Sequence, residues 1–310
     1  MFIILLSVIA SLLLAGKLLD RCYKKFWWPF FDKLNVVIKD STYYDGIYLG
    51  NSKVNFGINP YYVDSVTSLK TYNAGMGGAQ MTEINFLLKR YLQKHPAPKF
   101  VVLSVDYSTL MNRGRFFQNP CYYFFFTGDS AVNSILQDLH YHTMLYKILP
   151  VLKYTAFDDF NKFSIAGSLQ GNTIVQPGGV VYNGFINNKT NSFNPAELKN
   201  SSQTDTTYNT GLQLFEESLR LIKEKNVTPI LICPPAINVQ GKRKNSFKIK
   251  VDSMLSLIAN KYNAPILHYD NDTSFANDLF TDGSHLNING CILYSKKLGA
   301  DIRFILKNSR

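Results

Sequence analysis

Three side chains that are far apart in the sequence are of the types that catalyse acyl transfer. Ser52 lies in a short polar turn near the start of the chain, and Asp282 precedes His285 by three residues near its end. A serine hydroxyl is a weak nucleophile unless a neighbouring base removes its proton. An imidazole acts as that base when a carboxylate fixes its tautomer and balances its charge. The residue types therefore predict a serine nucleophile with a histidine base, provided that the fold brings Ser52 to His285.

Short apolar stretches alternate with amphipathic ones from residue 45 onward. Strands are predicted at "GIYLG", "FVVLSVD", "TPILIC" and "APILHYD", with amphipathic helices between them and after the last strand. This alternation predicts an α/β fold with a parallel central sheet that helices cover on both faces. Functional sites of such sheets lie at the carboxyl ends of the strands. We therefore expect Ser52, residues 73–78, residues 106–108 and the loop before the last helix to share one edge.

A segment from about residue 111 to 208 interrupts this alternation. It is rich in aromatic residues, asparagine, glycine and serine, and its middle predicts one helix over 130–149. We interpret the segment as an insertion over the strand edge, either a lid or a surface for a partner. The predicted organisation is thus residues 1–34 as an N-terminal anchor and interfacial segment, followed by one α/β domain over 35–310.

The N-terminal segment has the composition of a membrane anchor. Residues 2–15 are almost purely apolar, although a spanning helix needs about 20 such residues, so Lys17 would have to extend its ammonium group toward the interface. Trp27 and Trp28 follow beside lysines, as is typical of membrane interfaces. No small-residue cleavage site stands out, which favours an uncleaved anchor over a removed signal peptide. The alternative is an N-terminal helix that packs on the domain.

Composition excludes several other classes of protein. The formal net charge is +11, but no nucleic-acid-binding motif accompanies it, so a membrane surface or an anionic polymer is the expected partner. The four cysteines are far apart without a C-x-x-C pair, and the glycines at 75, 77 and 78 do not have the spacing of a phosphate-binding loop. We therefore expect neither a bound metal nor a cofactor.

Three short motifs, taken in order, resemble those of the SGNH, or GDSL-type, hydrolase superfamily. "YLGNS" is similar to its first block, with Asn51 where the common form has aspartate, and "YNAGMGGAQ" is similar to its second. "FTDGSHLNING" is similar to its last block. The similarity covers roughly residues 45–110 and 210–306. It implies a three-layer sandwich of flavodoxin-like topology.

The resemblance also implies roles for individual residues. Ser52 would attack an ester carbonyl, His285 would act as base and then as acid, and Asp282 would orient His285. The backbone N–H groups of Ser52 and Gly78 would stabilise the oxyanion. The implied activity is that of an esterase or O-acyltransferase, and membrane-anchored relatives act on cell-envelope polysaccharides. That activity predicts an extracytoplasmic location, whereas the cations after the apolar run favour a cytoplasmic one.

The third block departs from the family pattern. The family usually supplies an asparagine there as a further oxyanion donor, whereas the matching strand here reads "VVLSVDYSTL". Ser108 is the nearest substitute, and Asp106 is a carboxylate where an amide would be expected. Either Ser108 donates to the oxyanion, or the oxyanion hole is weaker, or Asp106 points elsewhere. The alternative function is therefore a catalytically inactive, membrane-tethered module that binds glycan or a partner protein.

Overall fold

A computed structural model describes residues 1–110, 115–175, 179–187, 209–237 and 246–308 of the chain. These residues form two compact units. The first combines Met1–Asp32 with Asn119–Gln176, and the second combines Lys33–Gln118 with Pro177–Arg310. Parts of the predicted insertion, at 111–114, 176–178 and 188–208, lie outside the described residues.

Five parallel strands form the central sheet of the second unit. Its strands are Gly46–Leu49 (β1), Thr71–Asn73 (β2), Phe100–Ser104 (β3), Thr228–Cys233 (β6) and Ile266–His268 (β7). A separate antiparallel pair consists of Val180–Tyr182 (β4) and Phe185–Asn187 (β5). The order across the sheet is β2-β1-β3-β6-β7. Numbered within the sheet alone, this is the 2-1-3-4-5 order of flavodoxin-like folds, so the predicted topology is confirmed.

Helices account for most of the remaining described residues. In chain order the α-helices are Phe2–Phe26 (α1), Trp28–Ile38 (α2), Ser52–Gly57 (α3), Pro60–Thr67 (α4), Met81–Lys94 (α5), Tyr107–Leu110 (α6), Pro120–Tyr123 (α7), Ser130–Asp138 (α8), Thr143–Ile148 (α9), Asp159–Leu169 (α10), Asn209–Glu224 (α11), Ser246–Lys261 (α12) and Ile288–Asn308 (α13). Short 3₁₀ turns lie at Phe124–Phe126, Pro150–Ala156, Tyr269–Asn271 and Asn277–Leu279.

The sheet is buried on both faces, as a parallel sheet requires. All five residues of β3 have less than 1% of their surface exposed. Neighbours such as Val101 and Val102 point to opposite faces of the sheet, so both faces are covered. On one side α13 packs against α3 and α4, and on the other α11 packs against α5. The predicted three-layer α/β fold is therefore confirmed.

The first unit is helical and has an aromatic core of its own. Tyr23 of α1 and Trp27, which directly follows this helix, pack against Tyr122 with ring centroids 6.2 and 5.4 Å away. The predicted helix over 130–149 is instead two helices, α8 and α9. The chain turns between them at His140, whose φ of +64° is left-handed and cannot continue a right-handed helix.

Helix α1 is long and apolar enough to be a membrane anchor or a signal sequence. It runs through the apolar stretch at 2–15 and continues to Phe26, and most of its N-terminal half is exposed. The later part of α1, from about Gly16, packs on α10 and on the turn at Pro150–Ala156, whereas most residues before Gly16 are exposed.

Candidate active site

Ser52 lies at the first position of α3, directly after β1 and a single connecting turn. Asn51 is the N-cap of this helix, and its side-chain oxygen accepts a hydrogen bond from the Lys53 N–H at 2.9 Å. The N–H groups in the first turn of a helix have no partner within the helix. The Ser52 N–H therefore remains available to a ligand, at the positive end of the peptide dipoles.

His285 lies in the loop that precedes α13. Asp282 holds this loop by accepting hydrogen bonds from the backbone N–H groups of Ser284 and His285, at 2.7 and 2.9 Å. Pairing between Phe280 and Leu286 closes the loop at its base. The edge of the His285 ring packs against Phe56, with ring centroids 5.6 Å apart and an interplanar angle of 84°.

The structure brings Ser52, His285 and Asp282 into one hydrogen-bonded chain. His285 Nε2 lies 2.9 Å from Ser52 Oγ, and His285 Nδ1 lies 2.8 Å from Asp282 Oδ2. An ionised carboxylate only accepts hydrogen bonds, so Nδ1 carries the ring proton and Nε2 is free to accept from Ser52. This is the tautomer that a histidine base needs.

The pKa of Asp282 keeps its carboxyl group ionised. Burial would raise this pKa, but the hydrogen bonds from His285, the electrostatic interaction with its ring and the N–H of Ser284 outweigh that effect and lower the pKa below its ordinary value. Because 56% of the Asp282 side chain is exposed, its pairing with His285 is screened by solvent and contributes little to stability.

The loop after β2 lies beside Ser52. The pairing of β1 and β2 continues past the strands, since Met76 N–H donates to Gly50 O at 2.9 Å. Asn73 is fully buried and donates to Val54 O and Ile58 O, at 2.7 and 2.6 Å, which ties this loop to α3.

Two glycines of this loop have positions that other residues could not take. A Cβ at Gly75 would lie 2.7 Å from Asn55 N, so only glycine allows the loop to approach α3 this closely. Gly78 has φ of +74°, and a Cβ there would lie 2.7 Å from Gln118 Cγ. Among the described residues, neither the Ser52 N–H nor the Gly78 N–H has a hydrogen-bond acceptor.

Asp106 and Ser108, the residues of the divergent third block, belong to a polar cluster beside Asn51. Ser108 Oγ donates its proton to Asp106 Oδ1 at 2.6 Å and accepts from Asn51 Nδ2 at 2.8 Å. Lys53 Nζ lies 2.8 Å from Asp106 Oδ2. The negative charge of Asp106 is thus paired. Ser108 would have to break its bond to Asp106 before donating to an oxyanion, so its role there stays a prediction.

The pKa of Asp106 is lowered despite its burial. Burial would raise this pKa, but the charge and hydrogen bond of Lys53 and the donors Ser108 and Thr109 more than offset that effect. Asp106 is therefore a largely buried anion with three donors around it: Lys53, Ser108 and Thr109.

Lys33 is a residue of the site that sequence reasoning missed. Only 1% of it is exposed, and its Nζ donates to Gly75 O at 2.6 Å and to Asn55 Oδ1. Burial lowers its pKa well below the ordinary value. Lys33 thus joins the loop after β2 to the helix that begins at Ser52. One sequence signal pointed to it: a single cation between the apolar residues Phe31 and Leu34.

A group of possible metal ligands lies elsewhere on the same sheet edge. Cys233, His268 and Asp270 each offer one ligand atom within 4.8 Å of the others. The sequence predicts no metal site, and no step of the chemistry proposed below uses these residues.

Several solved structures similar to this chain are of esterases and lipases. A lipase/acylhydrolase from Enterococcus faecalis is 15% identical, with a TM-score of 0.40 and coverage of 84% of this chain and 95% of that one. A GDSL-like lipase from Bacteroides thetaiotaomicron is 10% identical (TM-score 0.40; 86% and 88% covered). A catalytic mutant of an acetylxylan esterase from Geobacillus stearothermophilus is also 10% identical (TM-score 0.42; 86% and 96% covered).

Comparisons of the amino-acid sequence alone find no match. No protein-family model matches the chain. No curated protein matches it.

Proposed function

We propose that this protein is a serine esterase of the SGNH type that cleaves an acyl ester through Ser52, His285 and Asp282. The hydrogen-bonded chain from Ser52 Oγ to His285 Nε2 and from His285 Nδ1 to Asp282 Oδ2 carries the proposal. Ordinary turn serines and helix-start histidines have no reason to meet across 233 residues of chain. The three motifs in order add independent support.

In the first half of the reaction, Ser52 is acylated. Its hydroxyl proton moves to His285 Nε2 as Oγ forms a bond to the ester carbonyl carbon, and the carbonyl oxygen becomes an oxyanion. The N–H groups of Ser52 and Gly78 are the proposed donors to that oxygen. One preorganised donor lowers the barrier by roughly 3 kcal/mol. The bond to the leaving alcohol then breaks, and His285 gives the alcohol its proton.

In the second half, an acceptor removes the acyl group from Ser52. Water or a hydroxyl group loses its proton to His285 Nε2 and attacks the acyl carbon, and Ser52 regains its proton as it leaves. Hydrolysis is the favoured outcome because 29% of the His285 side chain and 56% of the Asp282 side chain are exposed to water. Transfer to a sugar hydroxyl is the second outcome of the same acyl-enzyme.

The proposed substrate class is an acyl ester of a cell-envelope polysaccharide. Helix α1 would hold the enzyme at a membrane, with the catalytic unit on its extracytoplasmic side, where such polymers lie. The net charge of +11 suits an anionic polymer.

Hydrolysis of a short-chain nitrophenyl ester by the full chain in detergent tests the proposal. We expect Ser52→Ala to reduce kcat by roughly 10³-fold or more, as loss of a triad nucleophile does. Ser65→Ala, at an exposed position of α4, is the matched control and should keep wild-type rates. Equal rates for Ser52→Ala and wild type would remove Ser52 from the mechanism and favour the inactive module. Adding a sugar alcohol and measuring its acylation separates transfer from hydrolysis.

A further inference from the structure

Helix α9 in the first unit has an apolar face that points into solvent. Met144, Leu145 and Ile148 are 71%, 50% and 64% exposed. Their spacing places Met144, Leu145 and Ile148 on one side of the helix. Lys147 is exposed beside them. An exposed apolar group flanked by a cation is typical of a surface that meets the headgroup region of a bilayer.

Contacts with α1 show how far along that helix the apolar face of α9 lies. Gly16 packs so closely on the turn after α9 that a Cβ there would lie 2.9 Å from Pro150 Cβ. One helical turn further on, Asp20 binds Lys153 at 2.9 Å and Tyr154 at 2.6 Å. The chain from Pro150 onward therefore follows α1 toward its C-terminus, and the end of α9 at Ile148 lies level with Gly16.

The length of α1 places the level of Gly16 inside the membrane, close to its boundary. Residues 2–16 extend over roughly 22 Å at 1.5 Å per residue. The hydrocarbon core of a bilayer is about 30 Å thick, and about 20 residues are needed to span it. A spanning α1 must therefore remain in the membrane past Gly16, to about Arg21. Asp20 tolerates this position because Lys153 pairs with it.

We propose that Met144, Leu145 and Ile148 insert into the same membrane that holds α1, so that the first unit contacts the bilayer at two places. This inference rests on the membrane anchor of the proposed function. A lone helix rotates freely about its own axis, whereas a second contact fixes the rotation of the unit around α1. Lipid is the occupant that fits, because the face lies level with a part of α1 that a spanning helix keeps in the membrane. Cations suited to anionic headgroups lie near this level: Lys17, Arg21 and Lys147.

A second exposed apolar group in this unit provides an internal control. Phe163 of α10 is 69% exposed, but α10 packs on a later part of α1. Asn161 bonds to Tyr23, and the Phe160 ring lies 5.4 Å from that of Trp27. Tyr23 and Trp27 lie roughly 10–16 Å beyond Gly16 along the helix. Phe163 should therefore lie outside the hydrocarbon region.

Fluorescence quenching by nitroxide-labelled lipids tests the inference on the full chain, reconstituted as one molecule per lipid nanodisc. A polarity-sensitive dye is attached to Leu5→Cys, Ile148→Cys, Phe163→Cys or Leu257→Cys, in a background carrying Cys233→Ser because the other native cysteines are buried. We expect strong quenching at residues 5 and 148, weaker quenching at 163 and none at 257. All four side chains are exposed, so the dye should disturb none of them.

Two results would overturn the inference, and they differ in whether the membrane anchor also fails. Quenching at residue 5 with none at 148 would show an embedded α1 without the second contact, and only the present inference would fail. No quenching at either residue would show that α1 is not in the bilayer, and the anchor itself would fail with it.

Discussion

At the residue scale, Asp106 shows how the site accommodates a charge that an oxyanion would repel. Lys53, Ser108 and the N–H of Thr109 surround this carboxylate, and Asn51 Nδ2 lies 3.5 Å away. The cluster is directly beside Ser52, because Asn51 and Lys53 are its neighbours in the chain. The identity of Asp106 thus affects the position of the nucleophile as well as stability.

The lowered pKa of Asp106 predicts a pH-dependent contribution to stability. An unfolded aspartate titrates at about 3.9, so in a window below that pH the folded residue is still ionised and the unfolded one is protonated. Unfolding then takes up a proton. The ionised Asp106 therefore stabilises the folded state fully above about pH 3.9. This contribution is lost as the pH falls through the folded-state pKa of Asp106. Asp106→Asn should therefore melt well below wild type at neutral pH, with the gap narrowing in acid.

Thermal unfolding of the detergent-solubilised chain, from neutral pH to about pH 3, measures this effect. Asp278→Asn, at an exposed position, is the control and should follow wild type throughout. A difference in melting temperature between Asp106→Asn and wild type that stays constant with pH would contradict a lowered pKa for Asp106.

The sequence predicts some of these residues better than others. Nucleophilic chemistry admits few residue types, so Ser52, Asp282 and His285 could be selected from type, spacing and order. The structure brings them together, and their roles are the proposal above. Lys33 could not be selected, because a lysine among aromatic residues after an apolar helix resembles an interfacial cation. Its partners lie 22 and 42 residues away, and only the fold brings them together.

At the scale of elements, the loop after β2 needs glycine at some positions and not at others. Gly78→Ala should reduce kcat, because alanine disfavours φ of +74° and its Cβ would press on Gln118. Displacing one oxyanion donor costs up to roughly 10²-fold. Gly77→Ala is the matched control, since a Cβ there meets nothing within 4 Å. Ester hydrolysis rates of the two variants test this. Equal rates would exclude Gly78 from the oxyanion hole.

Lys33 links that loop to α3, and its loss should affect both stability and catalysis. Lys33→Met keeps the length of the side chain but leaves Gly75 O and Asn55 Oδ1 without their donor, at a cost of about 1–3 kcal/mol for each buried acceptor. We expect a lower melting temperature and a lower kcat with KM little changed, because Lys33 acts through the loop and not on substrate.

Lys39→Met, at an exposed position just after the same helix, is the control for this measurement. If Lys33→Met melts earlier but keeps the wild-type kcat, then Lys33 only stabilises the fold and does not position the site.

The elements that sequence reasoning misplaced are those with weak local signals. The strands β1, β3, β6 and β7 and the helices α5 and α11 lie where the apolar periodicity predicts them. Strand β2 has only three residues and no apolar run. The break between α8 and α9 falls at His140 without a glycine or proline to mark it.

At the scale of the whole molecule, the residues proposed to contact a membrane and those proposed to catalyse ester cleavage belong to different units of one chain. The first unit combines the N-terminal helix with residues that come a hundred positions later, and the second contains every residue proposed for catalysis. The sequence could predict the apolar N-terminal helix and the α/β fold. It could not predict that part of the insertion packs with that helix, because the contacts involved, such as Tyr23 with Phe157, join distant segments of generic aromatic composition.

Labelling of the native chain with an alkyl fluorophosphonate, with the modified residue located by mass spectrometry, tests the central claim most directly. The claim is that His285 activates Ser52. It predicts an adduct on Ser52 that forms rapidly in wild type and in the control His142→Gln, much more slowly in His285→Gln, and not at all after denaturation. An unmodified Ser52 in the native protein, or equal labelling rates with and without His285, would contradict it.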